Sequence, residues 1–163
     1  MSRKLLHGLI LAGAIIASSA CGRAAEPAAP ARSIQLSAAV KSLLLAEMRE
    51  IAGGVQGMAL AIAIGDWPSV QSTSTNIRAS YIMEKKLTPP QAEELERALP
   101  QRFKELDAEF HLRAQRLGAA AAAHDAELVA YHYSRLIESC TTCHAAYAGT
   151  RFPGFAAPPP QGH

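Results

Sequence analysis

The sequence predicts an all-α protein folded as an antiparallel four-helix bundle. Three observations carry the prediction. Beyond Ser33, the 163-residue chain has few β-branched runs and no alternating apolar/polar stretch long enough for a strand. Apolar residues there recur at three- and four-residue steps, the spacing of a helix with one buried face. Asp66, Thr88 and Asp125 stand where helices should start, and prolines and glycines where they should stop. One domain is the default at this length, and no internal repeat or second domain stands out.

The first segment spans residues 33–65. Leu44, Met48, Ile51, Val55, Met58 and Ile62 form a single buried stripe along it. Gly53, Gly54 and Gly57 lower its intrinsic helicity and leave room for a second helix or a flat ligand to approach. Asp66 caps the second segment, with Pro68 in its first turn, where a missing N–H costs nothing. Val70, Ile77 and Tyr81 share a face, and the segment is expected to end near Lys85 and Lys86, cations that suit a helix C-terminus. Thr88 opens the third segment as N-cap, with Pro89 at the first helical position and Gln91 completing a capping box. Pro100 should kink or split this helix. Beyond it Phe103, Leu106, Phe110, Ala114, Leu117 and Ala121 keep the period, and the alanine run at 119–123 favours helix although Gly118 does not. Asp125 caps the fourth segment, whose stripe is Val129, Tyr133, Leu136, Cys140, Cys143 and Tyr147. Pro153 and Gly154 should end it, and residues 156–163, with three successive prolines, read as a disordered tail.

The N-terminus reads as processing sequence. Arg3 and Lys4 form a basic region, residues 5–16 are apolar apart from His7, and Ser18, Ser19 and Ala20 are small residues before a cleavage point. The apolar stretch is shorter than the roughly 20 residues a membrane anchor needs. Residues 1–20 are therefore expected to be a removed signal peptide that delivers the chain to the periplasm. Cys21 is a candidate lipidation site, because it stands where a lipoprotein signal is cut. Residues 21–33, rich in Ala and Pro, would then tether the domain at 34–155 to a membrane. Ser18 stands where the lipoprotein signal usually has Leu, and Gly22 is not the Asp that often retains lipoproteins in the inner membrane. Ordinary cleavage at Ala20 or a few residues later, releasing a soluble protein, remains the alternative.

Without Arg3 and Lys4, the 16 basic residues fall to equality with the 14 acidic ones. The mature domain carries no basic stripe of the kind nucleic-acid binding requires. No acid/base pair or nucleophile points to an enzyme.

The chemistry concentrates at Cys140-Thr141-Thr142-Cys143-His144. Two thiols three residues apart, followed at once by a histidine, are the attachment signature of c-type haem. Both thiols can add to the haem vinyl groups, and the imidazole can bind the iron. A structural zinc site usually takes four protein ligands, whereas Cys21 is the only other cysteine. A thioredoxin-like pair belongs at a helix start beside a β-α-β pattern, and this pair falls late in a helical segment. A haem-free helical module with an incidental disulfide is the remaining alternative. Both cysteines lie on the stripe that points into the core, so the expected bundle carries one covalently attached haem c at its C-terminal helix.

A four-helix chain with its single Cys-x-x-Cys-His in the last helix resembles the class II c-type cytochromes, the cytochrome c-prime family. The resemblance covers residues 36–155. It rests most on Cys140-Thr-Thr-Cys143-His144-Ala-Ala-Tyr147 and on Met48-Arg-Glu-Ile-Ala-Gly-Gly in the first helix. In that family an arginine often follows the aromatic; here Ala148 follows and Arg151 is the nearest. The resemblance implies His144 as the proximal iron ligand and makes Met48, in the first helix, the candidate distal ligand. Met48 is equally a good core filler. Met58 is the next candidate, about 15 Å further along the helix.

His132 is about 120° around the helix from His144 and cannot share its iron. His111 reads as a boundary residue beside Phe110, His124 as part of a connection and His163 as part of the tail. Trp67 is expected to pack on the end of the bundle.

With a histidine/methionine pair, the resemblance implies an electron carrier whose partners are redox proteins of the cell envelope. Without the methionine it implies a five-coordinate protein that binds nitric oxide or carbon monoxide. Many relatives form homodimers through their first two helices.

Overall fold

The computed structural model describes residues 34–155. The expected signal peptide, the tether with Cys21 and the tail at 156–163 lie outside the described residues. The described residues are all-helical, with no strand among them. In chain order they form α1 (Ala38–Ile64), α2 (Trp67–Arg78), α3 (Met83–Lys86), α4 (Pro89–Ala98), α5 (Gln101–Ala122) and α6 (Ala126–Tyr147), followed by a 3-10 turn (Pro153–Phe155).

Local chemistry explains most of the boundaries. The Ser37 hydroxyl accepts the Val40 N–H at the start of α1. Gly65 ends α1 in the left-handed conformation at φ 73, which a residue without Cβ adopts freely. Asp66 accepts the Ser69 N–H at 3.2 Å, and Asp125 that of Leu128 at 2.9 Å. Gln91 accepts the Thr88 N–H at 3.0 Å, completing the capping box of α4. Pro100 separates α4 from α5, as a residue that cannot donate an N–H must.

Two boundaries correct the sequence reading. The second segment does not run to Lys86. It stops at Arg78, Ser80 turns left-handed at φ 54, and α3 follows as a separate turn of helix. The N–H groups of Tyr81, Ile82 and Met83 that this break frees are accepted by the carboxylate of Glu47, far away in α1. The fourth helix stops at Tyr147 rather than at Pro153. Beyond it the Arg151 and Phe152 N–H groups both return to the Ala148 carbonyl, folding the chain back over the last turn of α6.

Paired contacts give the helix directions. Gly54 lies against Thr73 and Glu47 against residues 81–83, so α1 and α2 run in opposite directions. Gly118 lies against Ser74 and His111 beside Ile77, which reverses α5 relative to α2. Phe103 meets Tyr147 and Arg113 meets Glu138, which reverses α6 relative to α5. One hydrophobic core joins the four long helices. It takes Ile51, Val55, Met58 and Ala61 from α1, Val70 and Ile77 from α2, Ala114, Leu117, Ala120 and Ala121 from α5, and Val129 and Leu136 from α6. Each fully buried Leu or Ile in it contributes about 1.5–3 kcal/mol. Trp67 packs against this core at the start of α2, as expected.

The expected stripe along α1 is only partly buried. Its buried positions are Val40, Glu47, Ile51, Val55, Met58 and Ala61. Leu44 and Ile62 are half-buried, and Met48 is 37% exposed. Position 48 has the right period, but no protein side faces it closely enough to cover it. Of the three glycines, Gly54 alone meets a close neighbour: a Cβ there would sit 2.6 Å from the Tyr81 hydroxyl, whereas Gly53 and Gly57 face open space.

Candidate functional site

The core fills one end of the molecule and stops short of the other. In α1 it begins at Ile51; in α5 it begins at Ala114, with Phe110 packed against its margin; in α6 it ends at Leu136 and Ile137. Beyond that level Leu44, Phe103, Leu106, Cys140, Cys143, His144 and Tyr147 are all half-buried.

Cys140, Cys143 and His144 sit in the last turns of α6. At 100° per residue, Cys143 lies 60° to one side of Cys140 and His144 40° to the other, so all three share one helix face. The two thiols are not bridged. Burial pushes both upward, Cys143 to about 11, helped by the negative field of Asp107. Both therefore stay protonated at neutral pH. That is the reverse of a thioredoxin-like pair, which needs a stabilised thiolate near a helix N-terminus. Burial holds His144 below the usual imidazole range, leaving its ring neutral with a nitrogen lone pair to offer. Among the described residues no group of three or more His, Cys, Asp or Glu side chains converges to hold a metal ion.

Aromatic rings enclose the histidine side. Phe152 stacks on His144 with centroids 4.7 Å apart, and Phe155 lies at 6.5 Å. Phe103 of α5 meets Tyr147 edge-on at 5.2 Å. Arg151 lies over Phe152, with its guanidinium carbon 5.9 Å from the ring centroid. Phe152 and Phe155 were not singled out by the sequence reading; an aromatic pair just beyond the motif is the signal that could have found them.

The position of Met48 follows from one hydrogen bond. The Tyr133 hydroxyl of α6 donates to the Val55 carbonyl of α1 at 3.1 Å, which fixes the register of the two helices. Met48 is seven residues before Val55, and Cys140 is seven after Tyr133. Because the helices run oppositely, both steps lead about 10 Å in the same direction, and each rotates the face by only about 20°. Met48 thus lies level with Cys140, on the face of α1 that turns toward α6. His144 is about 6 Å further along. Side chains lean toward the N-terminus of their own helix, so in opposed helices Met48 and His144 lean toward each other. Met58 lies on the other side of Val55, is 1% exposed and belongs to the core.

The other histidines among the described residues lie off this face. His132 and His124 stand on α6's side and in the α5–α6 connection, the latter at φ 55. His111 is partly buried and pairs with Asp107 at 3.7 Å. Its Nδ1 makes no well-formed hydrogen bond, although the nearby Ile77 carbonyl also favours the charged ring. Asp107 raises the His111 pKa above its ordinary 6.5, against the opposing effect of burial. A raised folded value contributes stability that is complete below about pH 6.5 and is lost as pH rises through the folded value. The urea midpoint of the wild type should therefore exceed that of His111→Gln by more at about pH 5.5 than at about pH 8. A gap that widens with pH would refute the pairing.

No helix among the described residues is long and apolar enough to cross a membrane. Comparison with protein-family models, with curated proteins and with solved structures finds no match.

Proposed function

We propose that this chain is a periplasmic electron carrier: an antiparallel four-helix bundle of α1, α2, α5 and α6 that holds one haem c. The observation that carries the reading is the register set by Tyr133 and Val55. Counted along ideal helices from that bond, Met48 is level with the Cys140–His144 face, beyond the last residues of the shared core. The residues there fit a haem: two thiols, a neutral imidazole and a thioether, among apolar and aromatic side chains.

In this reading Cys140 and Cys143 would hold the haem, each thiol adding across a vinyl group with sulfur on one carbon and hydrogen on the other. His144 would be the proximal iron ligand and Met48 the distal one. When bound, the haem supplies a one-electron Fe(II)/Fe(III) couple, whose potential a methionine ligand raises. Phe103, Tyr147 and Phe152 would line the His144 side of the group, and Phe152, stacked on His144, would limit rotation of its ring. Met48 closes the distal side to external ligands, so the protein transfers electrons without transforming a substrate. Redox proteins of the cell envelope are the partners this chemistry fits. The export signal and candidate lipid at Cys21 would keep the carrier near the membrane where they work. A second copy of the chain has an uncharged face to meet in Gly53, Gly57, Leu60 and Ile64 of α1, all exposed.

The test is the absorption spectrum of the haem-loaded protein, oxidised and reduced, with and without carbon monoxide. A sharp reduced α-band that carbon monoxide leaves unmoved is the expected result. A broad high-spin spectrum that shifts with carbon monoxide would replace electron transfer by gas binding at an open iron.

A further inference from the structure

We infer that Glu47 is a positioning residue for the distal side of this site, clamping the Met48-bearing stretch of α1 to the turn between α2 and α3. The inference rests on the reading of Met48 as distal ligand.

Glu47 is 3% exposed and directly follows the apolar run at residues 43–46. Its carboxylate pairs with no cation among the described residues. It accepts instead the N–H groups of Tyr81 at 2.9 Å, Ile82 at 2.5 Å and Met83 at 3.1 Å. Taking a carboxylate out of water is costly unless its oxygens are satisfied, and these three donors satisfy them. The arrangement also resolves the other half of the problem. Left-handed Ser80 breaks the helix and leaves those N–H groups without intrahelical acceptors.

The clamp lies where α1 has little else to hold it. Before Ile51 the helix adds nothing to the shared core, and Val40 and Glu47 are its only buried residues there. Tyr81 supplies a second point of attachment, since its hydroxyl lies against the Cα of Gly54. Positions 47 and 54 are seven residues apart, so they share one face of α1 within about 20°. The 79–83 turn is thus fixed to that face at two levels.

Consecutive residues on a helix point about 100° apart. The α1 helix contacts both α2 and α6, and Met48 is within about 20° of Val55, whose carbonyl the Tyr133 hydroxyl of α6 reaches. Holding Glu47 against the α2–α3 turn therefore rotates Met48 toward α6 and the Cys140–His144 face. Without the clamp this stretch keeps the buried Val40 and the Ser37 N–H bond to the Glu94 carboxylate but loses the contact nearest Met48, and the thioether would no longer be held toward the Cys140–His144 face.

The experiment compares haem-loaded wild type, Glu47→Ala, Glu47→Gln and, as a core control, Leu117→Ala. Each is measured at a temperature where thermal unfolding shows it folded. The readouts are the reduced spectrum with and without carbon monoxide, and the reduction potential. Glu47→Ala should lose much of the low-spin spectrum, gain carbon monoxide affinity by about tenfold or more and fall in potential. Glu47→Gln keeps one acceptor oxygen and should fall between it and the wild type. Leu117→Ala should be less stable with an unchanged spectrum. If Glu47→Ala does not accumulate, Glu47→Asp, which withdraws the carboxylate by one methylene, carries the same test. A wild-type spectrum and silence toward carbon monoxide in these Glu47 variants overturn the inference, whatever their melting temperatures. A wild type that is itself high-spin and binds carbon monoxide overturns Met48 ligation and the inference together. A low-spin wild type with unmoved variants overturns the inference alone.

Discussion

A chain carrying Cys140→Ala and Cys143→Ala together is expected to bind no haem covalently. On a denaturing gel stained for haem, the wild-type band should vanish completely, while each single variant should keep a weaker one. The effect is all-or-none because a thioether survives denaturation, whereas iron–histidine coordination does not. The two thiols have no other evident task. They are unbridged, and burial pushes them away from the thiolate that redox exchange or metal capture would need. Their loss should leave the packed end of the molecule in place, since Ile51, Val55, Met58, Leu117, Val129 and Leu136 do not depend on them. Far-UV circular dichroism should accordingly retain strong helical signal in the double variant. An undiminished haem band in the double variant would rule out attachment through these cysteines. A wild type without any band, matured in a host that attaches haem, would leave the helical fold and remove its proposed cofactor.

The features legible in the sequence are those decided within a few residues. Thr88 and Gln91, Asp66, Asp125 and Pro100 each act on their own helix end, and each boundary they predict is where the structure has it. The Cys140–His144 motif is equally local, and helical periodicity alone puts its three donors on one face. What escaped depends on distant partners. Helix α2 ends at Arg78 because Glu47, over thirty residues away, accepts the N–H groups that the break releases. The period of α1 cannot distinguish Ile51, which meets the core, from Met48, which lies beyond it and is exposed, because both repeat at the same step. The inward role of Glu47 likewise depends on partners far along the chain. A single acid following Leu43, Leu44, Leu45 and Ala46 was the available sign that it faces inward. The end of α6 at Tyr147 could have been read from Gly149, a poor helix former just past the last turn.

Replacing Met48 by Ala should convert a six-coordinate, low-spin iron to a five-coordinate, high-spin one that binds carbon monoxide. As the proposed distal ligand, the thioether would compete with any external ligand for that position. If that bond is worth about 3 kcal/mol, its removal raises carbon monoxide affinity about a hundredfold, at roughly 1.4 kcal/mol per tenfold. The reduction potential should fall as well, because a methionine ligand raises it. Stability is a poor alternative explanation, since Met48 is 37% exposed and outside the core. Truncating it should cost well under the about 2–5 kcal/mol typical of a buried methionine. Met58→Ala is the opposite case. Met58 is 1% exposed and packs in the core beyond Val55. That substitution should cost about 2–5 kcal/mol of stability and leave the spectrum and potential unchanged. The two methionines thus separate ligation from packing on a single helix. A spectral change in Met58→Ala with none in Met48→Ala would mean that α1 is shifted by nearly three turns relative to the register that Tyr133 and Val55 define. A change in neither would give the distal position to another group or to none.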